Sequence, residues 1–342
     1  MIPTGGWGYE WGNGPDWTST IAIIPWNLYL FTGDVKTLAD CYPNIKRYVD
    51  HITQLYPDGT TSWGLGDWVP VKSKTEVELT STCYYYKDVM ILAKAAEILG
   101  FTEDEQRYDA LAGKIKEAFN AKFFDSGKAQ YRSGLQTEMS VPLHFGLVPD
   151  GMAGKVAANL ARSVAVNGYK LDVGLLGTKS ILNALSENGY ADVAYKIAAQ
   201  ETYPSWGWWV KNEATTLYEN WDIQAKNDIS LNHIMFGEIG AWFYKGVGGI
   251  HPDPEKPGFE RVLIRPHFSV PQFNCSHNGP YGKIVSSWTS SKGVISYTLV
   301  VPPNSTAIPT FDDAYTSVLL NGKKWTASQA ELPAGTWRFE LR

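Results

Sequence analysis

The feature that most constrains this chain is a change of hydrophobic period near residue 250. Before that point apolar residues recur at the three- and four-residue spacing of helices. After it, short runs alternate with a period of two. Helical stripes and pleated faces bury themselves in different kinds of layer, so the chain is expected to divide in two. Its 342 residues suit such a division, because single cores stop growing at roughly 250–300 residues.

The spacing predicts helices over residues 17–31, 38–55, 80–99, 102–119, 136–146, 151–166, 173–188, 190–200 and 231–247, with almost no strand signal among them. Gly100 stands where a helix C-terminus favours glycine. Thr102 followed by Glu103-Asp104-Glu105 suits a helix N-terminus, where carboxylates complement the macrodipole. About nine or ten helices in antiparallel pairs predict a mainly α fold, an (α/α)6 toroid. A closed ring of six hairpins needs twelve, and the shortfall falls on the N-terminal side. The opening Met1-Ile2-Pro3-Thr4-Gly5-Gly6 lacks the regions of a signal peptide. The expectation is therefore that the natural protein continues upstream.

Beyond Gly248-Gly249-Ile250, a Pro-rich stretch leads into alternating runs at Val262–Arg265, Gly282–Thr289, Val294–Val301, Val318–Leu320 and Thr336–Leu341. Asn278-Gly279-Pro280-Tyr281-Gly282 marks a turn, and Asn321-Gly322 is a strong hairpin signal. These spacings predict a small C-terminal antiparallel β-sandwich. The expected domains are residues 1–250 and 251–342.

Composition removes several function classes. A net charge of −5 without a Lys/Arg cluster argues against nucleic acid. No apolar run reaches the length of a membrane span. Cys41, Cys83 and Cys275 are too scattered for a zinc site or a disulfide framework. No phosphate-binding loop, His-Glu-x-x-His or nucleophile elbow is present, and no metal or cofactor is expected. The 14 Trp, 19 Tyr and 13 Phe point instead to aromatic faces, which suit the apolar C–H patches of sugars.

Four loop segments combine aromatics with polar groups. The first, residues 6–17, holds three Trp with Glu10 and Asp16, and ends on Trp17. The second is Trp63-Gly64-Leu65-Gly66-Asp67-Trp68, where Asp67 can accept sugar hydroxyls beside a Trp68 platform. Asp67 has an equally ordinary reading as a cap for another segment. The third runs from Tyr203 through Trp206, Trp208 and Trp209 to Glu219-Asn220-Trp221-Asp222. A carboxylate among rings resists ionisation, which suits general-base work and favours Glu219. Glu213 competes in the same stretch. Trp206 and Trp221 complete the expected aromatic set. The fourth is Ser230-Leu231-Asn232-His233, where Ser230 or Asn232 can cap a helix and His233 sits at its N-terminus as a hydroxyl donor. For each there is also a structural reading: rings as core filler, carboxylates as caps or ion-pair partners, and a satisfied histidine.

In this order, the segments resemble the catalytic part of glycoside hydrolase family 78, the α-L-rhamnosidases. The matching stretches are Pro15-Asp16-Trp17, Ile24-Pro25-Trp26-Asn27-Leu28-Tyr29, Leu65-Gly66-Asp67-Trp68, Ala214-Thr215-Thr216-Leu217-Tyr218-Glu219-Asn220-Trp221-Asp222, Ser230-Leu231-Asn232-His233, Ala241-Trp242-Phe243-Tyr244, Gly249-Ile250 and Gly279-Pro280-Tyr281-Gly282. The resemblance implies an (α/α)6 barrel with a β-sandwich, and inverting removal of terminal α-L-rhamnose from plant glycosides or polysaccharides. It implies Glu219 as general base, with Trp17, Asp67, Trp68 and His233 around the sugar. It also implies a periplasmic or secreted bacterial enzyme. The family's general acid lies in a motif upstream of the match to Asp16-Trp17; that motif is not in this chain, and neither Glu10 nor Asp16 matches it. Glu213 stands where many relatives have Gly. Without its acid the chain is expected to be weakly active or inactive. Two other readings fit the same residues: a non-catalytic carbohydrate-binding protein, and another toroid sugar enzyme such as a different glycosidase or an epimerase.

Overall fold

A computed structural model describes residues 13–224, 230–312, 314–325 and 330–342. The chain forms two compact units. One holds residues up to Trp26 and Ala39–Ile239; the other holds Asn27–Leu38 and Gly240–Arg342. Glu10 lies outside the described residues.

The first unit is helical: α1 (Pro15–Thr18), α2 (Thr20–Thr32), α3 (Val35–Leu55), α4 (Val77–Leu99), α5 (Thr102–Phe123), α6 (Gln136–His144), α7 (Ala153–Val166), α8 (Leu175–Glu187), α9 (Ala191–Ala198) and α10 (Trp206–Lys211), with α2 and α3 running on into residues 27–38 of the second unit. Burial sorts these helices into two layers. The residues of α4, α6 and α8 are buried on nearly every face, whereas α5, α7 and α9 bury one stripe. Helix α6 packs on both α4 and α8, while α5, α7 and α9 pack against them from outside. This is the inner and outer wall of the expected α/α toroid.

Local signals explain several boundaries. Gly100 adopts φ 77°, ψ 24°, and the Phe101 N–H reaches back to the Ala96 carbonyl at 2.9 Å, closing α4 as expected. Thr102, expected as a cap, is instead the first helical residue of α5 and its side chain caps nothing. Asp104 in that first turn holds α3, accepting from Tyr42 Oη at 2.8 Å and Lys46 Nζ at 2.6 Å. The helix expected over 17–31 is interrupted at Ser19. Two features went unforeseen: α10, started by Ser205 Oγ accepting the Trp208 N–H at 2.9 Å, and a hairpin of β1 (Phe124–Asp125) and β2 (Gln130–Tyr131).

Ser19 also fixes a protonation state. Its single hydroxyl proton faces two acceptors, the Pro15 carbonyl at 2.5 Å and Asp88 Oδ2 at 2.6 Å. Both contacts are satisfied when Asp88 is a neutral acid that donates to Ser19 Oγ. Asp88 is fully buried, and burial holds its carboxyl well above the usual carboxylate range.

The single helix expected over 231–247 is a 3-10 turn (Ile234–Phe236) still in the first unit, then α11 (Glu238–Trp242) and a π-helical turn (Phe243–Val247) with which the chain passes into the second unit. Gly237, Gly240 and Gly246 weaken a regular helix there. Strands follow: β3 (Ile250–Pro252), β4 (Arg261–Ile264), β5 (Gln272–Gly279), β6 (Gly282–Ser291), β7 (Val294–Val301), β8 (Thr306–Pro309), β9 (Val318–Leu320), β10 (Lys323–Lys324) and β11 (Gly335–Leu341). Six form an antiparallel sheet in the order β10-β9-β11-β7-β6-β5. The other three form a sheet β3-β4-β8, in which β4 and β8 run parallel. Segment 27–38 joins this unit because the Gly258 N–H donates to Leu30 O at 2.8 Å and Phe31 packs edge-on to Phe259 at 5.6 Å.

Candidate functional site

Hydrogen bonds knit the four sequence segments together, beginning at Asp16. This carboxylate accepts from Leu65 N at 3.2 Å, Gly66 N at 2.9 Å, Ser81 Oγ at 3.1 Å and Thr80 Oγ1 at 3.4 Å. It thereby pins the Gly64–Gly66 backbone to the start of α1. Gly64 has no side chain for a reason: a Cβ there would lie 1.9 Å from Ser81 Oγ and 2.6 Å from Asp16 Oδ2. Burial pushes Asp16 up to about 6, against the four donors that favour its charged form. Trp17 follows it, half-buried, with an indole N–H that has no partner among the described residues.

Asp67 is buried and fully engaged. Oδ1 accepts from Leu176 N at 2.8 Å and Gly177 N at 3.1 Å; Oδ2 accepts from Gly174 N at 2.8 Å and Thr137 Oγ1 at 2.6 Å. The Trp68 carbonyl takes the Leu175 N–H at 2.9 Å. Together they satisfy the N-terminal donors of α8, the capping reading the sequence left open. The expectation that Asp67 binds sugar hydroxyls is corrected accordingly, since four protein donors occupy its oxygens. Burial also raises its carboxyl above the ordinary range. Trp68 remains half-buried beside it.

The next link is Val173, whose carbonyl accepts Trp221 Nε1 at 3.0 Å. Trp221 is 1% exposed and stacks between Trp209 (4.9 Å, 23°) and Phe236 (4.4 Å, 28°). Trp206, 6% exposed, meets Trp221 edge-on and donates to the Phe236 carbonyl at 3.0 Å. Trp209 Nε1 donates to Trp221 O at 3.1 Å. The expectation that Trp206 and Trp221 face the sugar is therefore corrected: their rings are packed by protein and their N–H groups are spent on carbonyls. Trp209, named within the third segment but given no role there, and Phe236, which sequence reasoning did not single out, complete this floor. The Trp-x-x-Trp spacing from Trp206 to Trp209, one helical turn, was the available signal.

Glu219 and His233 rise from that floor on two paired segments. Glu219 N donates to Ser230 O at 2.9 Å and His233 N donates to Leu217 O at 2.8 Å. Thr216 Oγ1 also donates to the Leu231 carbonyl. Glu219 lies two positions after Leu217, but His233 lies three positions after Ser230. The pairing thus carries one extra residue, a bulge that re-aims the side chains beyond it. Ser230 N donates to Glu219 Oε2 at 3.0 Å, fixing the half-buried carboxylate and leaving Oε1 without a protein donor among the described residues. His233 itself, not Ser230 or Asn232, caps the following turn: its Nδ1 accepts the Met235 N–H at 3.1 Å. An accepting Nδ1 places the imidazole proton on Nε2, which can then donate outward. The competing Glu213 is exposed and holds a left-handed backbone, φ 62°.

Among the described residues no group of three His, Cys, Asp or Glu is placed to hold a metal, and no helix is long and apolar enough to cross a membrane. The arrangement offers one oriented carboxylate, one oriented N–H donor and an aromatic floor beneath them.

Comparison with known proteins places this geometry in context. An α-L-rhamnosidase of Formosa agariphila is 32% identical over 314 residues, covering 86% of this chain and 34% of that protein. One from an Alteromonas species is 30% identical over 352 residues, covering 95% and 38%. Among solved structures, an α-L-rhamnosidase from Dictyoglumus thermophilum superposes with a TM-score of 0.90 at 31% identity, covering 98% of this chain and 40% of that one. The Streptomyces avermitilis α-L-rhamnosidase complexed with L-rhamnose gives 0.85 at 27%, covering 95% and 33%. The chain thus spans 33% to 40% of the length of these relatives. The family described as the bacterial alpha-L-rhamnosidase C-terminal domain matches residues 249–315. With the six-hairpin glycosidase domain matched over residues 1–247, the chain belongs to the bacterial α-L-rhamnosidase six-hairpin glycosidase family.

Proposed function

We propose that this chain supplies the base side of an inverting hydrolysis of terminal α-L-rhamnosides. The observation that carries the reading is the fixing of Glu219: one oxygen is held by the Ser230 N–H, on the same bulged pairing that presents His233. The solved structure of a relative in complex with L-rhamnose supports the sugar. In an inverting enzyme the base takes a proton from a water that attacks the anomeric carbon, while an acid roughly 6.5–9.5 Å away protonates the leaving oxygen. Glu219 Oε1 is the atom that receives the water's proton. His233 Nε2–H donates to a sugar hydroxyl, and half-buried Trp17 and Trp68 offer ring faces to the sugar.

The test is release of p-nitrophenol from p-nitrophenyl α-L-rhamnopyranoside, with L-rhamnose binding followed by calorimetry. Glu219→Gln keeps an acceptor for the Ser230 N–H but loses basicity. Turnover should fall by about 10²–10⁴-fold with binding retained. Near-normal turnover in the variant, or no rhamnose binding by the wild-type protein, overturns the reading.

A further inference from the structure

We infer that Asp67 is a positioning residue for Glu219, acting through α8 and Trp221 rather than by touching sugar. This rests on the assignment of Glu219 as base. Asp67 lies 152 positions before Glu219 (219 − 67), yet an unbroken series of short contacts joins them. Its carboxylate gathers the N–H groups of Gly174, Leu176 and Gly177 and the hydroxyl of Thr137 within 3.1 Å. That fixes the chain entering α8, and with it the Val173 carbonyl one residue earlier. Gly174 admits no adjustment: a Cβ there would lie 2.1 Å from Trp68 O and 2.9 Å from Asp67 Oδ1. The Val173 carbonyl then receives Trp221 Nε1 at 3.0 Å, and Trp221 is wedged between Trp209 and Phe236. Glu219 is two residues from Trp221, and Phe236 ends the turn capped by His233. The same indole therefore braces both arms of the pairing. A buried carboxylate accepting from three backbone N–H groups makes charge-assisted hydrogen bonds, stronger than those between neutral groups. Its position sets where Trp221, and hence Glu219, is held.

The experiment follows amide hydrogen exchange of Glu219, Ser230 and His233, whose N–H groups make the pairing, in Asp67→Asn and Trp221→Phe. Trp221→Phe keeps a stacked ring and removes the indole donor. Positioning predicts at least about tenfold faster exchange at these three amides, with amides of the outer helix α5 unchanged, which excludes global loosening. It also predicts a fall in kcat on the rhamnoside with little change in KM. A sugar-ligand role predicts the reverse: unchanged exchange in both variants and weakened rhamnose binding in Asp67→Asn. Unchanged exchange overturns the inference. If Asp67→Asn does not fold, Thr137→Val, which removes one donor and keeps the shape, takes its place. The exchange readout does not depend on turnover. Near-normal turnover in Glu219→Gln would therefore sink the base assignment and leave the contact route to be judged on exchange alone.

Discussion

Asp16→Asn is the substitution whose outcome follows most directly from the structure. The wild-type carboxyl is raised by burial from 3.8 to about 6, so its ionisation opposes folding. A raised acid contributes stability that is fully present below its unfolded value near 4. That contribution is lost as pH rises through 6. At about 1.36 kcal/mol per pH unit, the rise from 3.8 to about 6 is worth about 3 kcal/mol. Asparagine does not titrate. Its oxygen can keep Gly66 N, Ser81 and Thr80, while its amide faces Leu65 N, the longer of the two backbone contacts at 3.2 Å. Leaving that N–H unpaired costs about 1–3 kcal/mol at every pH. The variant should therefore be less stable than wild type at pH 4 and equal or more stable at pH 7. Urea denaturation at both pH values measures this. Asp67 and Asp88 are also raised and buried, but they are common to both proteins and cancel in the difference. A wild-type–variant difference that stays constant from pH 4 to 7 would show that the four donors keep Asp16 charged throughout, and would refute the reasoning.

Other substitutions test separate parts of the account. Asp88→Asn should be neutral or stabilising at pH 7, because the raised carboxyl must take up a proton on folding there, whereas the amide need not and can still donate to Ser19 Oγ; a loss above about 3 kcal/mol, the range for a broken buried ion pair, would mean that Asp88 is charged. Glu213→Gly should be neutral or stabilising by up to about 1 kcal/mol in thermal melts, since φ 62° strains a residue with a Cβ; clear destabilisation would give the Glu213 side chain a role. His233→Phe should raise KM for the rhamnoside and loosen the turn that Nδ1 caps, whereas His233→Asn, which can still cap, should raise KM alone.

Much of the architecture was legible because it is written in period and punctuation. The helical stripes, Gly100 and the Asn321-Gly322 turn all carry their meaning within a few residues. Strands β7 and β9 fall on the expected residues. What escaped depends on partners far along the chain. Whether an Asp beside a Trp meets sugar or caps a helix more than a hundred residues later cannot be decided by neighbours in sequence, and Asp67 turned on that. Trp206 and Trp221 show the same limit: a ring is platform or floor according to what packs on it, here Trp209 and Phe236. Strands β3, β5 and β8 escaped because Pro and polar residues break their alternation. The pairing of 217–219 with 230–233 has no local signal either, since its bulge arises only when the two segments meet.

The central claim is that Glu219 activates a water on the face of the sugar opposite the leaving group. Proton NMR of the first-formed product from p-nitrophenyl α-L-rhamnopyranoside tests it directly, read before the free sugar equilibrates. The account predicts β-L-rhamnose as the initial anomer, absent in Glu219→Gln. Initial release of α-L-rhamnose would contradict it.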